Sequence, residues 1–404
     1  MDAPEARTAP PPLPPADGFA ARLTGIFLIA FFADGWLSIV DEFVRNSWPV
    51  LTLARAAVAL GTLGLGFLVF VALHVTPRLS KRVLYGPAVF VIWCGVFGAF
   101  PIAEFFPPET AGAILAALQA GWGSGLMAAC GSFRAGRWSW HDLGSSRPVF
   151  TWRNLIVSVV LTGVLTVSYG ALSVEGVFRI VARETAGYIR PGWDGLSLDE
   201  RHFRRGDEEV RLVGMMHIAN PSFYDSVVAG LPKDRTATVL LEGVSDRENL
   251  LRPPIRYDRV ARLLGVADQH ESRFTAEAAK ALSEPDPQLE YRQADVDVSE
   301  LDPRTIVYLS ALGSLIQSPT IKDALRQIRD RSSPLHDDRL AQVAWKDILE
   351  KRNAHILGEI EAALRPGHTV VVPWGALHLP EIEAELEKRG FKESARKSRR
   401  ALEF

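Results

Sequence analysis

Apolar positions crowd the first 175 or so residues of this chain in long unbroken runs, and beyond them recur only in short stretches or at helical spacing. The front runs, 23–40, 56–75, 84–103, 111–131 and 154–173, approach the ~20 residues a helix needs to cross the hydrocarbon layer of a bilayer. They predict an α-helical transmembrane bundle of about five spans over residues 21–174. AAVALGTLGLGFLVFVALHV and NLIVSVVLTGVLTVSYGALSV carry the strongest signal. The first run holds Asp34, a group that costs ~2.5–3.5 kcal/mol at a bilayer centre, so it is expected to face the bundle interior, with Arg55 snorkelling at a membrane edge. Gly121 and Gly125 have the small-xxx-small spacing of a close helix crossing.

Ahead of the spans, residues 1–20 contain a proline run and no apolar core, which predicts a solvated, disordered tail rather than a cleavable secretion signal. Behind them, residues 175–198 mix apolar and basic positions before turning polar with Pro and Gly, the pattern of an interfacial helix and a linker. The domain proper is expected over 199–404 as an α/β domain of two related β-α-β halves with a helical insertion. Its first half reads as a strand over 208–216, a helix over 221–230 and a strand over 237–242. YDRVARLLG, PRTIVYLSALGSLI and IKDALRQIRD have helical spacing, and DDRLAQVAWKDILEKRNAHILGEIEAAL reads as one long amphipathic helix stopped by Pro366 and Gly367. A strand over 368–374, a helix over 380–389 and a short terminal strand complete the second half.

Charge and cysteine content narrow the chemistry. The formal net charge of -2 gives no reason to expect a nucleic-acid partner. Both cysteines, Cys94 and Cys130, lie in the apolar front, so a metal in the polar half must be held by nitrogen and oxygen. Basic residues mark two short loops, Arg78, Lys81 and Arg82 in one and Arg134, Arg137, Arg147 and Arg153 in the other, whereas AEFFPPET between them holds only acids. The positive-inside rule then places the N-terminus and both basic loops in the cytoplasm, and an odd number of spans leaves the C-terminal domain extracytoplasmic. The basic stretch from Lys388 to Arg400 is expected to face water or lipid headgroups.

The two ends of the polar half repeat one another. Gly214, His217 and Glu242 are each matched 161 positions later, by Gly375, His378 and Glu403. In each copy a glycine-histidine corner follows an apolar strand, and a glutamate sits on the next strand. The glycine is expected to allow a tight turn, presenting the histidine at the carboxyl edge of the sheet where open α/β folds bind ligands. Two imidazoles and one or two carboxylates with no thiolate make a plausible open site for a divalent metal, Mn, Co or Zn. Such a metal would polarise a carbonyl and activate water, with Glu242 as ligand or base. Arg352 and Asn353, late on the long helix, are candidates to stabilise an oxyanion and orient a carbonyl. ADVD, Ala294 to Asp297, reads as a turn before the helix at Pro303 that could also add carboxylates.

LVGMMHI, VLLEGV, KRNAHILGEI and VVVPWGALHLPEIEAELEKRGF, taken together and in that order, resemble the TraB/GumN/TIKI family over roughly residues 208 to 392. The resemblance implies the two-halved α/β fold shared with the erythromycin-esterase and ChaN-like groups. It also implies, for the better understood members, metal-dependent peptide hydrolysis outside the membrane, with a peptide or protein as substrate. Carried over residue by residue, His217, Glu242 and His378 form the metal or catalytic centre and Arg352 and Asn353 contact the substrate, with Gln269 as a further candidate; Glu403 is a candidate from the repeat alone. Met215 and Met216 beside the first histidine and Pro373 and Trp374 before the second depart from the family pattern, and these bulky groups are expected to narrow the cleft. Two other readings fit the same residues: a non-enzymatic surface sensor binding a small ligand, peptide or haem, and a metal-independent esterase-like hydrolase with histidine as base.

Overall fold

A computed structural model describes residues 18–44, 48–134, 137–140, 148–233, 236–284 and 286–404; side chains of 18–21, 108–109 and 132–140 are not described. Most of the proline-rich tail, 1–17, lies outside the described residues. The chain divides into two compact units, Met1–Arg179 and Ile180–Phe404.

The first unit is helical: α1 (Gly18–Val44), α2 (Pro49–Val75), α3 (Lys81–Phe97), α4 (Pro108–Cys130) and α5 (Trp152–Glu184), with a short hairpin of β1 (Gly131–Arg134) and β2 (Arg137–Trp140) between the last two. Four of these helices, all but α3, are long and apolar enough to cross a membrane. The third predicted span yields only 17 helical residues, about 25 Å at 1.5 Å per residue, because the chain leaves the helix at Gly98, whose φ of 64° is left-handed. Asp34 is buried as expected and accepts a hydrogen bond from Gln119 Nε2 at 2.8 Å. Arg55, expected at a membrane edge, pairs through Nη1 with Asp41 at 2.8 Å and reaches Ser38 with its Nε. The close crossing of α1 and α4 also departs from expectation. A methyl on Gly35 would sit 2.7 Å from the Ala120 nitrogen and one on Gly123 3.0 Å from Phe32 Cα, whereas Gly121 and Gly125 face open space. The 4-residue spacing was present, but on another face of the helix.

The second unit is an α/β domain. Its elements are β3 (Ile189–Gly192), β4 (Gly195–Arg205), β5 (Glu208–Met215), β6 (Ile218–Ala219), α6 (Pro221–Ala229), β7 (Ala237–Leu241), α7 (Asp258–Leu264), β8 (Ala267–Asp268), α8 (Arg273–Ser283) and β9 (Leu289–Gln293). They continue with α9 (Pro303–Ile316), α10 (Ile321–Arg329), α11 (Asp338–Trp345), α12 (Arg352–Ala363), β10 (Thr369–Gly375), α13 (Leu379–Lys388) and β11 (Lys392–Glu403). The seven-stranded sheet runs β11-β4-β5-β10-β7-β9, with β3 alongside β4. β5, β10, β7 and β9 are parallel, and β4 lies antiparallel to both β5 and β11. The central strands are buried on both faces, which is why they read as continuous apolar runs such as VVVPW. Trp374, Tyr224, Phe203, Phe223 and the aliphatic residues of β7 and β10 fill the core between sheet and helices.

Three boundaries move. Residues 175–198, expected as an interfacial helix and a linker, hold no long linker: α5 continues unbroken to Glu184, and β3 and β4 then enter the sheet. β4 escapes a hydropathy reading because its buried positions include Asp199, Glu200 and Arg201, which pair with one another's neighbours instead of presenting an apolar face. The terminal strand is 12 residues long, and most of its basic side chains face outward as expected, except Arg399, which is buried against Glu200. The predicted long helix is α11 and α12 joined through a π-helical segment, Lys346–Lys351.

The two halves are related only in part. β5-α6-β7 steps over one strand, β10, whereas β10-α13-β11 steps the other way over two, β5 and β4. Antiparallel β4 occupies the place beside β5 that a symmetric partner of β7 would take. β11 is therefore three strand spacings from β10, about 14 Å.

Candidate functional site

Parallel strands end at one edge, and there the sequence places its titratable groups. His217 lies two residues past β5, Glu242 directly after β7, Asp295 two residues past β9 and His378 three residues past β10. The fifth contributor arrives from the helical side: the wider π-helical turn ends at Lys351 and delivers Arg352 and Asn353, adjacent and both buried, to the same edge.

Arg352 is the hub. Its Nε and Nη2 hold Asp295 in a two-pronged pair at 2.9 and 2.6 Å, Nη2 also donates to Glu242 Oε1 at 2.9 Å, and Nη1 faces His378 Nε2 at 3.3 Å. All but one of its five N–H donors are thereby engaged. Burial works against the guanidinium charge, but Asp295 and Glu242 more than offset it and hold the pKa above its ordinary value. Glu242 Oε2 accepts the Gly375 amide at 2.5 Å, so both carboxylate oxygens are committed.

The tautomer of His378 follows from its neighbours. Glu381 Oε2 accepts from the Asn353 side-chain nitrogen at 2.6 Å, which leaves Asn353 Oδ1 to face His378 Nδ1 at 2.8 Å. Nδ1 must then carry the proton, and Nε2 presents its lone pair to Arg352. Burial, and the guanidinium beside it against the opposing pull of Glu242, bring the His378 pKa down to about 4. Trp374 braces both groups, with the His378 ring edge-on at 5.4 Å and the Arg352 guanidinium 5.3 Å from its centroid.

His217 is different. It is solvent-accessible and stacks face to face on Tyr257, with centroids 4.6 Å apart and planes 9° apart. The ring still lies deep enough among protein atoms that desolvation is the largest influence on its charge. It outweighs the pull of Glu242, with His270 and Arg352 adding to it, and the pKa falls below the ordinary value. The Tyr257 hydroxyl is pushed up, chiefly by burial and then by Glu242 and Asp268. The His217 carbonyl accepts the Gln269 amide at 2.8 Å, and β6 pairs with β8 next to it, so the loop carrying the imidazole is pinned by its backbone.

Gly214, Gly375 and the bulky neighbours act otherwise than their sequence context implies. Neither glycine adopts a left-handed conformation. A methyl on Gly214 would come within 3.0 Å of the Asp199 carbonyl, and one on Gly375 would lie 3.4 Å from both Glu242 oxygens, so these glycines allow close approach rather than a turn. Met215 and Trp374 point into the core, with Trp374 Nε1 bonded to the Leu240 carbonyl, and do not narrow the cleft.

The edge thus gathers His217, Glu242, Arg352, Asn353 and His378. Gln269 joins the backbone support of His217. Glu403 lies exposed on β11 and pairs in register with Gly195, remote from the Glu242 end of the sheet because β4 intervenes. Asp295 and Tyr257 were not among the expected site residues. ADVD carried a hint of the first, while Tyr257 caps the start of α7, at the head of YDRVARLLG, where helical spacing gave no sign of a role at the site. As the donors are arranged, the His378 Nε2 lone pair meets the Arg352 guanidinium and each Glu242 oxygen already accepts one hydrogen bond, so a divalent metal held by these two residues does not fit without displacing Arg352. Comparison with family models, curated proteins and solved structures returns no match for this chain.

Proposed function

We propose that the protein is a membrane-anchored hydrolase of carboxylic esters or amides that activates water with His217 and needs no metal. The observation that carries this reading is the pairing of one open, neutral imidazole with a buried cation whose geometry is fixed from four sides. A neutral histidine at pH 7 can take a proton from water. In the proposed step the hydroxide formed attacks the substrate carbonyl, the remaining Arg352 N–H receives the developing oxyanion, and the imidazolium returns its proton to the leaving oxygen or nitrogen. Glu242, held by Arg352 and the Gly375 amide, supports the imidazolium by its charge and moves no proton itself. Asn353 and His378 orient the guanidinium. The resemblance to the TraB/GumN/TIKI family supports hydrolysis of a peptide or protein, and the donor geometry argues for water activation by His217 over activation by Mn, Co or Zn.

The test is hydrolysis of acyl ester and peptide libraries by the full chain in detergent, with and without chelator. Turnover that survives chelator and disappears in His217→Ala is the expected result. Activity restored only by added metal, with His378→Ala as damaging as His217→Ala, would return the metal-dependent peptidase to first place.

Both basic loops can share the cytoplasmic side only if α3 and α4 each cross, so we read α3, at the lower limit of spanning length, as the fifth crossing. The hydrolase domain then faces away from the cytoplasm. An alkaline phosphatase fused to the C-terminus, active only outside the cytoplasm, should report activity; inactivity would mean four crossings.

A further inference from the structure

Within the first unit, α5 is the least embedded helix. Only Asn154, Ser158 and Gly176 along its length are buried; the polar positions Asn154, Ser158 and Thr162 attach its first half, and Tyr169 bonds the Phe100 carbonyl at 3.2 Å further on. Asn154 Nδ2 bonds the Leu73 and His74 carbonyls, Ser158 bonds the Leu73 carbonyl, and Thr162 meets Tyr85 at 2.6 Å and His74 Nε2 at 2.9 Å. Between Thr162 and Tyr169, whose ring closes on Trp93 of α3 at 4.5 Å, α5 and the α2–α3 pair leave an apolar groove of about 100 Å³ lined by Phe67, Phe70, Val89, Trp93, Thr162 and Leu165. A groove open to hydrocarbon is filled by hydrocarbon, because an apolar void forfeits contacts that a lipid chain supplies.

One end of that groove is charged. Lys81, at the first turn of α3, donates to the Asn154 carbonyl and the Ser158 hydroxyl, both neutral, at 2.9 and 2.5 Å. Arg82 and Arg153 are exposed beside the same helix starts. Neither segment 76–85 nor segment 148–160 contains an Asp or Glu, so the excess positive charge has no acid in its own neighbourhood of sequence. From Lys81 to Trp93 the helix rises about 18 Å, slightly more than one leaflet of a ~30 Å hydrocarbon core.

We propose that this is a binding site for an anionic phospholipid. Its phosphate sits on Lys81, Arg82 and Arg153, and one acyl chain runs along the groove between α5 and the α2–α3 pair to Trp93. The charge selects the headgroup, because basic clusters at membrane helix ends attract anionic lipid. The groove selects a chain and distinguishes the site from a surface that merely concentrates phosphate.

Native mass spectrometry of the full chain in detergent, offered equal phosphatidylglycerol and phosphatidylcholine, tests it. One phosphatidylglycerol should be retained with at least fivefold preference. Arg82→Gln/Arg153→Gln, which touches only exposed groups, should cut that preference at least threefold, and adding Lys81→Gln should abolish it. Leu165→Trp should lower retention of phosphatidylglycerol by filling the groove while leaving the thermal melting curve in place. Equal retention of the two lipids by the wild type, or preference unchanged in the double variant, would overturn the headgroup site. Retention unchanged in Leu165→Trp, or lipid displaced by millimolar inorganic phosphate, would show a surface phosphate patch and overturn the groove.

Discussion

His217 and His378 follow adjacent parallel strands at nearly the same offset, yet one imidazole is open and the other is held on three sides. His378 is buried, its Nδ1–H spent on Asn353, its Nε2 turned to Arg352 and its ring set edge-on to Trp374. His217 has a single aromatic neighbour, Tyr257, and otherwise looks into the cleft. The difference teaches that a repeated motif need not repeat a role. The second copy gained an arginine and an asparagine from α12 and became part of a rigid charged cluster, while the first kept a ring able to exchange a proton. The cluster should therefore break the fold when cut, and the open ring should break only the chemistry.

The largest effect is expected from Arg352→Met. Removing the guanidinium strands Glu242 and Asp295, both nearly or wholly buried, and breaking one partner of a buried ion pair costs about 3–5 kcal/mol. Thermal melting in detergent should fall steeply and hydrolysis should vanish. A variant that melts within a degree or two of wild type would mean that water reaches these carboxylates freely. Next comes His217→Ala. It should lower kcat/KM by about 10²–10⁴, the usual contribution of a general base, while shifting stability by no more than about 1 kcal/mol for the lost stack. Equal loss of melting temperature in His217→Ala and His378→Ala would erase the contrast between the two rings.

Much of this edge was legible in the sequence because strand ends carry information twice, in the apolar run and in the polar residue that stops it. VVVPWG and TVLLEG announce buried strands, and the alignment of Gly214 with Gly375 and of His217 with His378 marks both corners correctly. The repeat failed at Glu403 because sequence offset says nothing about which strand will be inserted between two others, and β4, whose buried charges hide it from any hydropathy pattern, is inserted here. Asp295 was obscured for a related reason. Its carboxylate is buried only because Arg352, 57 positions on, arrives opposite it, so its role is decided by tertiary pairing. In the membrane unit, length and apolarity mark four helices plainly, whereas α3 ends early at a glycine that a hydropathy window passes over.

A third contrast is in pH. The pKa of His378 is about 4 in the fold and ~6.5 in an unfolded chain, so between those values the unfolded state binds the extra proton. The contribution of His378 to stability is complete above about pH 6.5 and is lost as pH falls toward 4. Melting temperature measured across that window should decline, and the decline should shrink in His378→Gln, which cannot titrate. His217, also held below its ordinary value, adds a fall in activity on acidification, as its imidazole becomes protonated and ceases to be a base. An activity profile that rises on acidification would assign the proton-taking step elsewhere.

The smallest effect is also the sharpest on the cluster's design. Glu381 is exposed and bonds Asn353 rather than Arg352 or His378, yet it determines which end of Asn353 faces the histidine. Glu381→Gln keeps the shape but can offer its own NH₂ as well as its oxygen to Asn353. The asparagine is then free to flip and donate to His378 Nδ1, which would reverse the tautomer and turn an Nε2–H toward the guanidinium. The cost in stability should be no more than about 1 kcal/mol, as for a single exposed hydrogen bond. The mark of the relay would be in catalysis: kcat reduced several-fold with KM little changed, and the nitrogen-15 shifts of His378 moved from the Nδ1–H pattern toward a mixture. Glu381→Ala, which leaves Asn353 to water, should fall between the two. If both variants keep kcat and the Nδ1–H signature, the orientation of His378 is set by Arg352 and Trp374 alone, and Asn353 is packing rather than a positioning residue.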